Sequence, residues 1–373
     1  MTIGVLKEPS GETRVSLLPE AVAGLTKKGT KVVVEQSAGF GAFATDADYE
    51  KAGANVVSAE ELVQQADIIL SIHQPAIGLK IPASKILIGV YQPLYHQTIM
   101  QEWAKNGLTV FSLDMLPRTT RAQSMDVLSS QANISGYKAV LLAANLYPRY
   151  FPMFMTAAGS IAPAKILILG AGVAGLQAIA TARRLGAVVE VFDTRPAVKE
   201  EVMSLGAKFV EVEGAADAST AGGYAVEQTE EYKQKQQQRI ADSLAKADIV
   251  ITTAQIPGKK APILITEEMV RSMRNGSMII DIAAATGGNT PFTRNNETVD
   301  VNGVKIVGNS NLPATMPSDA SKLYGKNITN FLALVTSKEG EVNLNWDDDL
   351  VKGSCITHNG DVVHDRVKQA VAS

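Results

Sequence analysis

The sequence predicts an α/β protein with two doubly wound parallel-sheet domains, a cleft between them, and a first domain that is discontinuous in the chain. Three observations lead to this prediction. The chain has 373 residues, more than one ordinary hydrophobic core organises. Short apolar runs alternate with helix-forming segments, which favours parallel strands joined by helices. Residues 164–193 also carry a strand, a glycine loop, a helix and a second strand in order.

The glycine loop is the most informative stretch. An apolar run at 166–169 leads into Gly170-Ala-Gly172-Val-Ala-Gly175, followed by a helix-forming run and a second apolar run that reaches Asp193. Gly170 permits the tight turn, Gly172 lets the backbone approach a pyrophosphate, and Gly175 lets helix and strand pack closely. Because a helix N-terminus offers N–H groups to phosphates, this Rossmann-like pattern predicts a dinucleotide site.

Two residues at the end of the second strand bear on which dinucleotide binds. Asp193 lies about twenty residues beyond the glycines, where a carboxylate accepts hydrogen bonds from the adenosine ribose and repels a 2′-phosphate. Arg195 leaves NADP open, because an arginine near this position accommodates that phosphate. We expect NAD(H) as the cofactor.

Composition excludes several classes of protein. The formal net charge is −3 and no block of Lys and Arg occurs, so no nucleic-acid partner is expected. Cys355 is the only cysteine, which fits a reducing cytoplasm. No apolar run is long enough to span a bilayer. The four histidines lack metal-ligand spacing, so we expect a cytoplasmic protein without a metal site.

The first domain is predicted to combine residues 1–128 with residues 318–373. Its strands are expected at 2–6, 31–35, 68–72, 86–91 and 108–113. A capping box at Ser58 predicts the start of a helix. A long helix capped by Ser318 would return the chain to this domain, and Asn359-Gly360 favours a type I′ hairpin turn.

A dense set of polar side chains follows. Residues 123–146 are predicted to form a helix, which would put Gln123 and Asp126 on one face with Ser129 a turn further on. Arg118 lies just upstream, and α/β enzymes bind ligands at such junctions between domains. A solvated helix N-terminus with ordinary caps explains the same residues, so the pattern alone leaves both interpretations open.

Residues 129–317 are predicted to form the dinucleotide-binding domain. Residues 214–238 interrupt its rhythm with a long polar connection, which is typical of a mobile lid or of a passive insertion. The strand at 247–253 runs into Thr-Thr-Ala-Gln255, and ligands bind beyond the carboxyl ends of such strands.

No residue pattern indicates a catalytic acid or base. Dehydrogenation of an alcohol or amine needs a group that moves a proton alongside the hydride. Hydride exchange between two nicotinamides needs none, because the two C4 atoms need only be held close with water excluded. The sequence therefore favours exchange between two nicotinamides.

Six motifs together resemble one family over nearly the whole chain: ETRVSLLPE, RAQSMDVLSSQANISGYKAV, MTAAGSIAPAKILILGAGVAGLQAIATARRLGA, TAGGYA, TTAQIPGKKAPILITEEMV and IDIAAATGGN. The family is the NAD(H)-binding component, domain I or the alpha-1 subunit, of proton-translocating NAD(P) transhydrogenase. RAQSMD is the most specific segment, because alanine dehydrogenase shares the glycine motif. The resemblance implies reversible hydride transfer between NADH here and NADP+ on a partner domain, which the family attaches to proton-conducting membrane subunits.

The same resemblance implies roles for individual residues. The RAQSMD region would hold the nicotinamide and its ribose through a catalytic set, Arg118, Gln123 and Asp126, with Ser129 nearby. The other expected cofactor-binding positions are Gly170, Gly172, Val173, Gly175, Asp193, Arg195, Gly223, Tyr224, Gln236 and Gln255. Tyr224 belongs to a loop that closes over the nucleotide, and Gln255 would contact it through backbone. The family also implies a homodimer, a peripheral position at the inner face of the cell membrane, and no physiological turnover by the isolated chain.

Alanine dehydrogenase is the runner-up family, because it shares the fold and an N-terminal arginine motif. Arg14 would match its substrate-binding arginine. His73 and Gln92 stand where its catalytic Lys and His are expected, and Ala285-Thr286-Gly287 where its catalytic Asp is expected. A non-catalytic NAD(H)-sensing module is a further alternative, against which the polar set at 118–126 argues.

Overall fold

The computed structural model describes residues 1–212, 229–337 and 340–372. The chain divides into two compact units, the first made of Met1–Gln131 with Ala314–Ser373 and the second of Ala132–Pro313. The first unit is therefore discontinuous in the chain. Each unit is built on a largely parallel sheet, which confirms the predicted α/β class.

The strands are β1 (Thr2–Val5), β2 (Lys31–Glu35), β3 (Asn55–Val57), β4 (Ile68–Leu70), β5 (Ile86–Gly89), β6 (Thr109–Ser112), β7 (Phe154–Thr156), β8 (Gly159–Ile161), β9 (Lys165–Leu169), β10 (Val188–Phe192), β11 (Lys208–Phe209), β12 (Ile249–Thr252), β13 (Met278–Asp281), β14 (Thr298–Val301), β15 (Val304–Val307), β16 (Cys355–His358) and β17 (Asp361–Val362). The α-helices are α1 (Pro19–Thr26), α2 (Asp46–Lys51), α3 (Ala59–Gln65), α4 (Gln97–Lys105), α5 (Val127–Leu146), α6 (Val173–Arg184), α7 (Lys199–Ser204), α8 (Glu230–Leu244), α9 (Glu267–Ser272), α10 (Pro317–Val335), α11 (Asp349–Ser354) and α12 (Asp365–Ala372).

The first unit contains an eight-stranded sheet in the order β17–β16–β6–β5–β4–β1–β2–β3. Strands β1 to β6 pair in parallel, and β16 and β17 extend one edge in antiparallel fashion. Neighbouring side chains of β4 enter different cores, because successive strand residues point to opposite faces. Leu70 shares a buried cluster with Phe331 of α10, whereas Ile69 packs with Leu62 of α3.

The second unit contains a seven-stranded sheet in the order β11–β10–β9–β12–β13–β15–β14. All its pairs are parallel except β14 with β15. Ile168 of β9 belongs to a core with Ile179 of α6, and Leu169 belongs to a core with Leu244 of α8. Helices therefore cover both faces, as the continuous apolar runs predict for a doubly wound sheet. A separate hairpin pairs β7 with β8.

Local turn and cap signals were accurate at two places in the first unit. Ser58 forms the predicted capping box at the start of α3, with its hydroxyl accepting from the Glu61 N–H. Asn359 and Gly360 both have positive φ, 50° and 87°, between the antiparallel strands β16 and β17. A type I′ turn requires positive φ at both central residues.

Two predicted helix starts were wrong. Helix α5 begins at Val127, not at residue 123. Helix α10 begins at Pro317, and the residue before it, Met316, provides no side-chain cap. Ser318 lies inside this helix, and its hydroxyl donates to the Ala42 carbonyl at 3.4 Å. A proline at the first helical position explains the shift, because its missing N–H would be unpaired there anyway.

Candidate functional site

The glycine loop joins β9 to α6 in the second unit. Gly170 has a φ of 106°, which a residue with a side chain rarely adopts. A Cβ on Gly175 would lie 1.9 Å from the Gly170 carbonyl oxygen, whereas a Cβ on Gly172 would meet no atom within 4 Å. Gly172 stands at the N-cap position of α6, directly before Val173. The loop thus combines a tight turn, a close helix–strand contact and open space at the helix N-terminus.

Asp193 ties this loop to the end of β10. Its carboxylate accepts from the Ala171 N–H at 2.7 Å and from the Arg195 N–H at 2.8 Å. The Arg195 guanidinium donates to both carboxylate oxygens, at 2.9 and 2.8 Å. Hydrogen bonding to Asp193 raises the pKa of Arg195. The positive charge of Arg195 is therefore balanced within the protein, next to the loop.

Strand β9 lies at the point where the strand order of the second sheet reverses. It pairs with β10 on one side and with β12 on the other, and open α/β sheets bind ligands beyond the carboxyl ends of strands at such a point. The Thr253 hydroxyl, just after β12, donates to the Gly170 carbonyl at 3.2 Å. Gln255 donates through Nε2 to the Ile282 carbonyl at 3.2 Å, so its side chain is engaged within the protein.

The predicted lid is in part a regular helix. Residues 230–238 belong to α8, where Thr229 caps the helix by accepting from the Tyr232 N–H. The i,i+3 and i,i+4 ion pairs Glu230–Lys233 and Glu231–Lys235 stabilise this polar run as a helix. Half-buried Gln236 lies in it. Gly223 and Tyr224 lie outside the described residues, as does the rest of 213–228.

The RAQSMD segment forms a 3₁₀ helix, Thr120–Met125, in the first unit. Asp126 follows it with a non-helical backbone, and its carboxylate accepts from the Ser129 N–H at 2.9 Å and the Ser129 hydroxyl at 2.6 Å. The prediction that Gln123 and Asp126 share one α-helical face is therefore wrong, because an aspartate at this position competes as a helix cap. Asp126 and Ser129 form the ordinary cap that the alternative interpretation described.

Contacts from the C-terminal segment of the first unit hold this 3₁₀ helix. The Ser124 carbonyl accepts from Nδ2 of Asn327 at 2.9 Å and of Asn330 at 2.8 Å. Arg121 pairs with Asp348, at 2.6 and 2.7 Å, and with Asp349. The side chains of Arg118 and Gln123 are exposed. The first unit thus brings together Arg118, Gln123, Asp126 and Ser129 on one ordered segment.

A buried charge cluster in the first unit was missed by the sequence reasoning. Glu12 accepts from Arg14 through Nε at 2.8 Å and Nη2 at 2.6 Å, and it lies 2.9 Å from Nε2 of His73. Arg14 also donates to Gln131 at 2.8 Å. Glu8 accepts from the N–H groups of Ile72 and His73 at 2.6 and 2.9 Å. The structure therefore joins Arg14 and His73, which the alanine dehydrogenase comparison singled out, through Glu12.

The two carboxylates of this cluster are shifted in opposite directions. Burial raises the pKa of Glu8 to about 7, against the effect of its two backbone hydrogen bonds. Burial also opposes ionisation of Glu12, but hydrogen bonds from Arg14 and His73 hold its pKa well below the usual range. Glu8 therefore binds a proton more readily in the folded chain, and Glu12 less readily.

These shifts predict opposite pH dependences for two substitutions. Ionising Glu8 costs stability as pH rises from about 4.5 to about 7, so Glu8→Gln should gain free energy of unfolding relative to the wild type across that range. Glu12→Gln should show its largest deficit at neutral pH, and the deficit should shrink in acid. Urea unfolding at several pH values measures both differences. Differences that stay constant with pH would contradict these assignments.

Two further searches concern metals and membranes. Within residues 1–212, 229–337 and 340–372, no three His, Cys, Asp or Glu side chains are grouped so that they could bind a metal ion. Over the same described ranges, each helix is too short or too polar to cross a bilayer.

Comparison with known proteins gives matches over both units. Residues 4–135 match the family model "Alanine dehydrogenase/PNT, N-terminal domain", and residues 139–365 match "Alanine dehydrogenase/PNT, C-terminal domain". The chain is 45% identical over 376 residues to an NAD(P) transhydrogenase alpha subunit of Rhodospirillum rubrum, with 98% of each chain covered. Its fold is similar to that of a transhydrogenase from Sinorhizobium meliloti, with a TM-score of 0.89, 45% identity, and 97% of this chain and 100% of that chain covered. An L-alanine dehydrogenase structure gives a TM-score of 0.79 and 27% identity, with 100% of this chain and 99% of that chain covered.

Proposed function

This chain belongs to the alanine dehydrogenase/PNT family, and we propose that it is the NAD(H)-binding component of a proton-translocating NAD(P) transhydrogenase. Relatives with more than 40% identity are named as NAD(P) transhydrogenase alpha subunits, which supports an oxidoreductase role. The domains of this family imply that a nicotinamide nucleotide binds. Which nucleotide binds, and through which residues, belongs to the proposal.

The geometry of the second unit carries the proposal. A glycine loop, a carboxylate and a strand end meet at the carboxyl edge of β9, where the strand order reverses. We assign the pyrophosphate to the N-terminus of α6, where unpaired N–H groups and the helix dipole favour an anion. The residues that would hold it are Gly170, Gly172, Val173 and Gly175. Asp193, with Arg195 beside it, would take the adenosine ribose.

The remaining assignments rest on the RAQSMD segment and the family resemblance. We propose that Arg118, Gln123, Asp126 and Ser129 hold the nicotinamide and its ribose. Gly223 and Tyr224 are proposed to close over the nucleotide, with Gln236 on α8 nearby. Gln255 would act through its backbone, since its side-chain amide is bonded to Ile282.

The proposed reaction is reversible hydride transfer between NADH bound to this chain and NADP+ bound to a partner domain. The nicotinamide supplies the hydride. This chain's residues bind and orient it, because the reaction requires the two C4 atoms to be held close. No proton moves at the reacting carbon, so the reaction needs no acid or base at that site. The absence of an acid–base motif near Arg118 in the sequence is consistent with this chemistry.

The partners and location are proposed from the relatives. We propose an NADP(H)-binding domain and proton-conducting membrane subunits as partners, with this chain held at the inner face of the membrane through them. On this proposal the isolated chain binds NAD(H) but has no physiological turnover.

The alanine dehydrogenase alternative needs a 2-oxo acid bound by Arg14. Nε and Nη2 of this guanidinium donate to Glu12, and Nη1 donates to Gln131. A substrate carboxylate would have to displace these partners inside a buried cluster, which costs several favourable charge-assisted hydrogen bonds. The transhydrogenase proposal requires no such displacement.

Asp126 offers a direct test of the nicotinamide assignment. Asp126→Asn retains an oxygen that can accept from the Ser129 N–H, so the helix cap should survive. With an NADP-binding domain present, we expect hydride transfer to fall by at least about tenfold while the NADH dissociation constant changes by less than about threefold. Stopped-flow transfer and NADH titration give the two numbers.

Asp48→Asn is the matched control, because Asp48 also belongs to a helix cap in the first unit but lies on α2. It should leave both numbers unchanged. Loss of NADH affinity in Asp126→Asn that matches the loss of rate would mean that Asp126 does not act on the reacting geometry.

The hairpin of β7 and β8 supports the proposed homodimer. Every residue of its two strands is exposed, including Met155 at 75% and Phe154 at 42%. A lone two-stranded hairpin is marginally stable in water, and exposed Met and aromatic side chains are enriched at protein interfaces. We propose that a second copy of the chain covers this hairpin.

A single charge on the hairpin tests this surface. Met155→Asp should weaken the dimer by at least about tenfold, because it buries a charge in an apolar contact, and sedimentation velocity over a dilution series measures the change. Ile263→Asp is the control, since Ile263 is also exposed in the second unit, at 46%. A wild-type chain that sediments as a monomer at all concentrations would refute the homodimer.

A further inference from the structure

Asn289 is a buried amide that joins the end of one strand to two loops of the second unit. Its side chain is fully buried, at 0% exposure. Oδ1 accepts from the Ala254 N–H at 3.2 Å, and Nδ2 donates to the carbonyls of Ala254 at 2.9 Å and Pro262 at 2.8 Å. One amide therefore binds Ala254 in both directions and also holds the loop that follows it.

The main chain of Asn289 is fixed equally firmly. Its N–H donates to Oδ2 of Asp281 at 2.6 Å, and its carbonyl accepts from the N–H groups of Leu264 and Ile265 at 3.0 and 3.1 Å. Asp281 is itself fully buried and accepts from the Thr293 hydroxyl at 2.6 Å. Each polar atom of Asn289 thus has a partner, and the network has little freedom to relax.

The segment that Asn289 holds lies beside the glycine loop. Residues 253–255 leave β12 at its carboxyl end, and the Thr253 hydroxyl donates to the Gly170 carbonyl at 3.2 Å. Asp193, proposed to bind the adenosine ribose, follows β10 on the opposite side of β9. The held segment therefore lies on the side of β9 that is away from the adenosine carboxylate.

We propose that Asn289 is a positioning residue that fixes residues 253–255 against the glycine loop and thereby sets the affinity for the nicotinamide-bearing half of the nucleotide. The inference rests on the proposed function, since it assumes that NAD(H) crosses β9 from Asp193 toward β12. Removing the amide leaves the Ala254 N–H and the Ala254 and Pro262 carbonyls without this partner, and unpaired buried polar groups drive local rearrangement. The adenosine side has none of these contacts and keeps its geometry.

The test separates the two halves of the nucleotide. For Asn289→Ala we expect the NADH dissociation constant to rise by at least about tenfold and that of 5′-AMP to change by less than about threefold, because only the nicotinamide side moves. Calorimetric titration of the full chain with each nucleotide measures both. Thr253→Val, which removes the hydroxyl contact to Gly170 and keeps the side-chain shape, should shift the same ratio in the same direction by a smaller factor.

Val304→Ala controls for a general loss of stability. Val304 is buried, at 1% exposure, in β15, and its truncation should lower the melting temperature without changing either dissociation constant. Equal weakening of NADH and 5′-AMP, or no weakening of NADH, in both Asn289→Ala and Thr253→Val would overturn the inference. A wild-type chain that binds 5′-AMP and NADH with equal affinity would also overturn it. A wild-type chain that binds neither nucleotide would instead refute the proposed function.

Discussion

The dinucleotide-binding unit depends on how closely helix α6 approaches strand β9. A Cβ on Gly175 would lie 1.9 Å from the Gly170 oxygen, and a Cβ on Gly136 of α5 would lie 2.0 Å from the Ala174 oxygen. Backbone therefore packs on backbone at both contacts, which only glycine allows. This packing places the N-terminus of α6 at the sheet edge where β9 ends. The position of the anion site thus follows from steric constraints in the core and not from a flexible loop.

Side chains near this edge and on the RAQSMD segment order the backbone as well as offering chemistry. Asp193 binds the Ala171 N–H of the glycine loop, Asp126 caps α5 through Ser129, and Asn289 holds Ala254. Groups fixed in this way lose little conformational freedom when a ligand binds, which favours affinity and orientation. The same dual role explains why a cap and a binding residue look alike in the sequence around Asp126.

The sequence predicts the sheet cores well, because buried parallel strands are continuous apolar runs and the glycine fingerprint has a local mechanical cause. It fails where contacts are distant or where local signals compete. The Glu12–His73 contact spans 61 residues, and nothing in ETRVSLLPE indicates that Glu12 is buried. The polar run at 230–238 resembles a loop until its i,i+4 ion pairs are placed on a helix. Of the candidate site, the glycine loop was predictable from physics, whereas the role of RAQSMD depended on resemblance.

Hydride transfer from NADH to an NADP+ analogue, measured with and without a purified NADP-binding transhydrogenase domain, tests the central claim most directly. The account predicts transfer only when that domain is added, and no oxidation of NADH with pyruvate and ammonium. Oxidation of NADH by pyruvate and ammonium with this chain alone would contradict it. That result would place the chemistry at the Glu12–Arg14–His73 cluster and make the protein an amino-acid dehydrogenase.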